Sequence, residues 1–323
     1  MKKRNKIIYF SLFVIFFCCI SEFIGYRFLG VEDFFQNGEI CLSTIARMRI
    51  SRIVCSITSG IALSLSGLLL QCVLKNPLAD PYILGISGGA GIGAVSAFLF
   101  SLHVFSFYTV PLLALCGAVL SVSAVLLISK VGVKGPDSLL LSGVIVGTME
   151  SGILMYLISN SNSDQLAGIT WWMLGDLRCH DLNILVGFCC LTLVCCIYVF
   201  CHSRDLDLLS LGFDEAHYTG INPQWTAVSM VVLASCMTAM SVSVCGMIAF
   251  CGLIIPHIAR KMFGNLHSVT VPACILAGAF FLTFCDLISR SLFQEKEVPP
   301  GVVTALVGGI IFISLLVKKR RIS

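Results

Sequence analysis

The sequence predicts an all-α transmembrane protein with about ten membrane-spanning helices. Three observations lead there. Of 323 residues, 57% are hydrophobic and only 12% are charged, about half the roughly 25% of a soluble domain. The apolar residues form continuous runs of about 20, the length a helix needs to cross the hydrocarbon core, rather than the ~10-residue alternating segments of a transmembrane barrel. Charged, Gly and Pro residues cluster between the runs, so the backbone inside each run can pair with itself as lipid demands.

Taken in order, the runs fall at roughly 7–29, 50–74, 82–102, 108–129, 137–159, 182–201, 224–244, 246–263, 271–290 and 301–317. The first follows basic residues from Met1 to Lys6, as a secretory signal would. It continues to Leu29, too long for a signal core, and no A-x-A site follows, so it reads as a retained span. Lys75-Asn76-Pro77 ends the second run, and Pro81 restricts the residue before it. In the third, Gly85, Gly89 and Gly93 recur every four residues, a small-xxx-small face for close helix packing. The fifth holds Glu150. A polar stretch, about 204–224, separates the sixth from the seventh. The ninth holds Asp286 and Arg290, one helical turn apart and so expected to pair within the helix. No soluble domain, linker or sharp repeat interrupts the series, and residues 1–323 read as a single polytopic membrane domain.

Lys and Arg favour the cytoplasmic side of short loops. With the N-terminus inside, fourteen of the 21 fall inside: Lys2, Lys3, Arg4, Lys6, Lys75, Lys130, Lys134, Arg204, Arg260, Lys261, Lys318, Lys319, Arg320 and Arg321. The other seven, Arg27, Arg47, Arg49, Arg52, Arg178, Arg290 and Lys296, fall outside. Ten spans with both termini cytoplasmic satisfy this count. The cluster Arg47, Arg49 and Arg52 runs against it. Those arginines can snorkel at the interface, pair with Glu32, Asp33 and Glu39 in the preceding loop, or receive carboxylates of an acidic external partner.

Several chemistries are excluded or weakly signalled. The net charge of +4 comes from scattered basic residues without a basic–aromatic stripe, which argues against nucleic acid. No G-x-x-x-x-G-K-[ST] is present, so the chain has no P-loop for ATP. The 17 cysteines read as small apolar residues. Cys18-Cys19, Cys189-Cys190 and Cys195-Cys196 are adjacent pairs, only Cys41 and Cys179 fall outside the spans, and no disulfide framework follows. His257 has no second ligand at metal spacing, and Met237, Met240 and Met247 read as packing. Glu150 has no charged residue within a turn. An intramembrane acid of that kind is a functional candidate, either in a pathway, in coupling to a proton, or protonated and buried.

One segment carries a resemblance. Asn76-Pro77-Leu78-Ala79, Pro81, Leu84-Gly85, Ser87, Gly89 and Ala90 resemble N-P-L-A-x-P-x-x-L-G-x-S-x-G-A, a signature of the FecCD-type permeases of ABC importers for iron-siderophores, haem and vitamin B12. Further matches follow in order. They are Leu141-Ser142-Gly143; Trp172, Gly175 and Leu177; Gly246, Phe250, Gly252-Leu253, Pro256-His257 and Arg260; then Asp286, Arg290 and the run from Pro299 through Gly301 to Ala305. The resemblance covers nearly the whole chain. It implies a homodimer, or a pair with a paralogue, of ten-helix subunits in the bacterial inner membrane. Substrate would pass between the subunits, and the fifth span would line the pathway. Two ATPase subunits would bind ATP and Mg below, and a periplasmic or lipid-anchored binding protein would dock above. The chain itself would be no enzyme and bind no cofactor or metal.

The family's outer arginines correspond to Arg49, Arg52 and Arg290, which the resemblance assigns to docking. Its cytoplasmic E-A-A…G coupling element corresponds to Glu215, Ala216 and Gly220 after Asp214. His257 would be structural or close to the ATPase. The sequence departs from the family at Ser51 (usually Pro), at Asp176 (usually Ser) and at Ile310, where Pro often breaks the last span. Two other classes stay open. One is an ion-coupled secondary transporter using Glu150. The other is a membrane enzyme, which would need a clustered acid–base or metal set.

Overall fold

The computed structural model describes residues 2–24, 35–36, 39–40, 44–102, 106, 108–131, 136–179, 181–292 and 297–320. Thirteen helices follow in order: α1 (Lys2–Phe23), α2 (Thr44–Val73), α3 (Ile86–Leu99), α4 (Thr109–Val131), α5 (Pro136–Ser159), α6 (Ser163–Met173), α7 (Leu182–Cys201), α8 (Ser203–Leu211), α9 (Phe213–Tyr218), α10 (Pro223–Cys245), α11 (Cys251–Phe263), α12 (His267–Ser291) and α13 (Pro300–Arg320). Two two-residue strands, β1 (Phe35–Gln36) and β2 (Glu39–Ile40), pair antiparallel between α1 and α2. Glu32, Asp33, Arg27, Cys41, Lys134, Lys296 and Arg321 lie outside the described residues, as do the side chains of Lys2, Lys3, Arg4, Glu39, Lys130, Asp214, Lys318, Lys319 and Arg320.

Among the described residues, seven helices are long and apolar enough to cross a membrane. They are α1, α2, α4, α5, α7, α10 and α12, and each matches a run read from the sequence. The other three runs depart from simple spans. The third begins as a 3-10 turn over Pro81–Leu84, capped by the Asp80 side chain on the Tyr82 amide, and passes through Gly85 before α3 starts. Gly85 has φ of 74°, a left-handed conformation that glycine adopts without a side-chain penalty. The eighth run is corrected: only Cys251–Phe263 is helical, and residues 246–249 are not. Tyr82 holds that stretch by donating to the Ile248 carbonyl and accepting from its amide, both at 3.0 Å. The tenth run is one continuous helix, α13, with Ile310 70% exposed in its middle. Without a ring at 310, no backbone donor is lost and the helix does not break there.

The buried helix of the bundle is α2, packed by α10, α11 and α12. Apolar burial distinguishes little between protein and lipid, so close packing and hydrogen bonds must hold the helices. Both are present. Ser56 meets Thr283 at 3.1 Å, Ser64 donates to the Cys274 carbonyl at 2.9 Å, and Ser66 donates to the Ala234 carbonyl at 2.9 Å. Such bonds contribute about 0.6–2 kcal/mol each. The small-xxx-small face of α3 packs as expected: a Cβ on Gly89 would sit 2.4 Å from the Gly117 carbonyl oxygen, and one on Gly117 would sit 2.1 Å from that of Gly89. The α3 and α4 backbones therefore touch.

Candidate functional site: two polar ends of one helix bundle

Helix α12 joins two polar regions. His267, at its start, contacts α8; Asp286 and Arg290, near its end, contact α1 and α2. At 1.5 Å per residue these regions lie ~35 Å apart. The positive-inside count assigns the Arg290 end to the outside, and it is called the outer end.

At the outer end Asp286 is fully buried and collects two arginines. Arg52 Nε donates to its Oδ1 at 2.5 Å, and Arg290 Nε lies 3.4 Å from its Oδ2. Arg52 also donates through Nη2 to Ser289 Oγ at 3.2 Å and through Nη1 to Glu297 Oε2 at 2.6 Å. Arg290 Nη2 donates to the Ser21 carbonyl at 2.5 Å and Arg49 Nη1 to the Glu22 carbonyl at 3.1 Å. Those carbonyls belong to the last turn of α1, which has no intrahelical donors left. The two arginines thus cap α1 and oppose the negative end of its dipole.

The pairing of Asp286 with Arg290 expected within α12 is present. The shorter bond of Asp286 is to Arg52, 234 residues away. Arg52 and Arg290 are only 6% and 5% exposed, so neither presents itself to an external partner in this conformation. Arg49 is half-buried. The arginines that face outward are Arg47 and Arg178, and Arg178 is held by Asp176 at 2.9–3.1 Å. Asp176, the departure from the family pattern, therefore has a partner two residues away. Ser51, the other departure, donates to the Cys179 carbonyl at 2.7 Å and ties α2 to this loop. Nearby, Tyr108 donates to Asp181 Oδ2 at 2.5 Å. That bond holds the Asp181 carboxyl below the usual carboxylate range, and Asp181 in turn caps α7.

At the inner end, the polar stretch about 204–224 folds as two short helices, α8 and α9. Leu206 and Leu209 of α8 are fully buried. Asp207 anchors α8 to α12, accepting from His267 N at 2.8 Å and lying 2.7 Å from its Nδ1. On α9, Ala216 is fully buried while Glu215, His217 and Tyr218 are exposed. Gly220 follows at φ 90° with open space around it, a turn that favours glycine. His217, Tyr218 and Gly220 border an open groove of about 550 Å³ with Phe213 and Asn222. Ala216 is the packing residue of the predicted trio, and Glu215 and Gly220 belong to its exposed surface.

The remaining motif residues hold helices and turns together. Asn76 accepts from the Leu78 amide at 2.9 Å, closing the turn before Pro77. Pro256 is buried inside α11 and His257 is half-buried beside it. Gln71 donates to the Ala79, Gly252 and Leu253 carbonyls and accepts from Arg260. It thereby ties α2 to α11 and to the signature segment. Gly301 opens α13 against Leu174: its amide donates to the Leu174 carbonyl at 3.1 Å, directly after Pro299 and Pro300. Asp80 caps the 3-10 turn before α3, and burial pushes its carboxyl up to about 6.

Glu150 is 7% exposed. It shares the inward face of α5 with Ser142, Gly143 and Val146. A Cβ on Gly88 would lie 2.5 Å from its Oε2, and a Cβ on Gly85 would lie 2.9 Å from that oxygen and 2.5 Å from Ser121 Oγ. The carboxyl therefore faces α3 and α4. The adjacent, exposed face of α5 carries Val144, Thr148 and Ser151 and borders a groove of about 510 Å³ that Gly85, Gly88, Gly143, Met173 and Met247 also line. Glu150 does not line that groove. Among the described residues, no three His, Cys, Asp or Glu side chains converge as a metal site.

Sequence reasoning missed Glu297, Ser289 and the Asp207–His267 tie. Glu297 follows Lys296 in a charged loop that signals a surface, not its partner. The α5 orientation did leave a signal: in a membrane helix small residues face in and large apolar ones face out, and Glu150 follows Ser142, Gly143 and Val146 at helical spacing.

The comparisons with known proteins agree with one another. The FecCD transport family matches residues 12–318. The vitamin B12 import system permease protein BtuC of Salmonella paratyphi A is 34% identical over 313 residues, 96% of this chain and 94% of that protein. The uncharacterized ABC transporter permease protein YvrB of Bacillus subtilis is 34% identical over 278 residues, covering 85% and 78%. A solved structure described as an inward-facing conformation of a metal-chelate type ABC transporter superposes with a TM-score of 0.87 at 28% identity, covering 98% and 99%. PsaBC from Streptococcus pneumoniae, solved in complex with Fab, shares the fold alone, with a TM-score of 0.58 at 13% identity over 82% of this chain.

Proposed function

Because the chain belongs to the FecCD transport family and is an ABC importer permease, we propose that it moves a bulky metal chelate, a ferric siderophore or haem first and cobalamin second, across the bacterial inner membrane by alternating access. The observation that carries this reading is the pair of polar ends joined by α12. The inner end exposes a helix–turn surface of Glu215, Tyr218 and Gly220 on buried anchors Leu206, Leu209 and Ala216. That is the form of a lever held in an ATPase cleft. The outer end is rich in arginine, against the positive-inside rule, and suits a partner that presents carboxylates.

In this reading two ATPase subunits bind ATP and Mg and supply the energy. Their closure moves α8 and α9. Asp207 passes that movement to His267 and along α12, a rigid element, to the ion cluster at the other end. A second copy of the chain, or a paralogue, completes the pathway against the exposed face of α5, with its hydroxyls Thr148 and Ser151 and the thioethers of Met173 and Met247 across the groove. A periplasmic or lipid-anchored binding protein delivers the cargo to the outer rim of Arg47, Arg49 and Arg178, with Arg52 and Arg290 directly behind. The chain needs no catalytic group, cofactor or resident metal of its own for this role. The cargo preference follows the company the chain keeps: a relative named for vitamin B12 and a structural neighbour described as metal-chelate type.

The test is reconstitution in proteoliposomes with the cognate ATPase and a binding protein loaded in turn with ferric siderophore, haem and cobalamin. Uptake of one of the iron compounds is the expected result. Uptake of cobalamin alone would overturn the cargo assignment and leave the importer.

A further inference from the structure

We propose that Glu297 is an intrachain stand-in for a docking carboxylate: it occupies Nη1 of Arg52 and is exchanged for an acidic side chain of the external partner. This rests on the docking reading above and adds its regulation.

The geometry of Arg52 carries the inference. Its Nε is fixed by the fully buried Asp286 and its Nη2 by Ser289. Its Nη1 is bonded by Glu297 at 2.6 Å. The side chain of Glu297 is 50% exposed, whereas that of Arg52 is 7% exposed. The bond therefore joins a rigid buried cation to a carboxylate that water, or another carboxylate, can reach. Glu297 lies in the segment between α12 and α13. Its neighbour Val298 is tied to α12 through Ser289: the Val298 amide donates to the Ser289 carbonyl at 3.2 Å, and Ser289 Oγ donates to the Val298 carbonyl at 2.5 Å. Across a narrow crevice that also touches Trp171 and Pro300, Arg178 is held by its own exposed carboxylate, Asp176. The same motif, an arginine masked by a local acid, thus occurs twice on one rim.

The charge count shows what the exchange does. Arg49, Arg52 and Arg290 stand against Glu22, Asp286 and Glu297. Glu297 offsets one of these positive charges, and withdrawing it raises the positive charge of the mouth by one. Swapping one half-exposed carboxylate for another changes little free energy, since exposed ion pairs contribute little. A partner with a correctly placed acid therefore loses little by displacing Glu297. The short, fixed tether makes Glu297 a competitor of high local concentration, so its removal raises partner affinity.

The experiment uses the full transporter in nanodiscs and the purified binding protein that supports uptake in it, with affinity measured by surface plasmon resonance at several salt concentrations. Glu297→Gln is expected to tighten binding roughly three- to tenfold, the range of a removed competing charge pair, and to steepen the salt dependence. Adding Arg52→Gln to that variant is expected to cancel the gain. Unchanged or weaker binding by Glu297→Gln overturns the inference. Arg47→Glu reports separately on the docking reading: weaker binding upholds it, and unchanged binding overturns it.

Discussion

Replacing Asp286 by Asn tests how the outer cluster is held together. Asp286 is fully buried, and two guanidinium groups converge on it, one at 2.5 Å and one at 3.4 Å. An amide of the same shape keeps the volume and removes the charge. Arg52 and Arg290 would then face each other across a buried gap, with Glu297, Ser289 and the Ser21 carbonyl as their remaining acceptors. Removing one partner of a buried ion cluster costs about 3–5 kcal/mol. At roughly 2–4 °C per kcal/mol for large domains, Tm in detergent is expected to fall by roughly 6–20 °C. The assay is heating followed by fluorescence-detected size-exclusion chromatography. The matched variant Arg52→Met/Asp286→Leu/Arg290→Met removes all three charges together. It is expected to recover most of the loss, because a buried ion triad is often no more stable than its apolar replacement. A Tm for Asp286→Asn within about one degree of wild type would refute the reasoning, and so would a triple variant less stable than the single one.

Other consequences follow from the same contacts. Gly89→Val is expected to destabilise the bundle by more than about 3 kcal/mol, because the new side chain meets the α4 backbone rather than a flexible neighbour; loss of monodisperse protein would report it. Glu150→Gln is expected to leave transport rate and its pH profile unchanged, because the carboxyl faces α3 and α4; uptake that becomes insensitive to a proton gradient only in this variant would instead assign it to coupling. Asp80 is pushed up to about 6 by burial, so the native state holds its proton more tightly than the unfolded chain, whose aspartates titrate near 3.9. The stability it contributes is therefore greatest at low pH and declines as pH rises from about 4 to about 6. Asp80→Asn, which keeps the cap, is expected to be more stable than wild type by about 1–3 kcal/mol at pH 7 and indistinguishable at pH 4, read from Tm against pH.

The long apolar runs made the transmembrane class legible, because a spanning helix must be written as about 20 consecutive residues. Interruptions were less so. The non-helical stretch 246–249 is apolar like its neighbours, and the residue that bonds it, Tyr82, is 166 residues away. The contact of Asp286 with Arg290 could be read from one-turn spacing, but its stronger bond to Arg52 could not, since no local pattern links residues 234 apart. For the same reason the arginines looked like a surface from sequence and proved to be caps of α1 and ligands of a buried acid. The polar segment of about 204–224 was legible in outline, because its polarity stands out between two apolar runs. Its division into Ala216 as anchor and Glu215 and Gly220 as surface needed the packing of α8 and α9.

The most direct test of the central claim is uptake by proteoliposomes containing this chain, its ATPase and its binding protein, with ATP and the ion gradients controlled independently. The account predicts uptake that requires a hydrolysis-competent ATPase and survives collapse of the proton and sodium gradients. Uptake that runs on a gradient without ATP would contradict it.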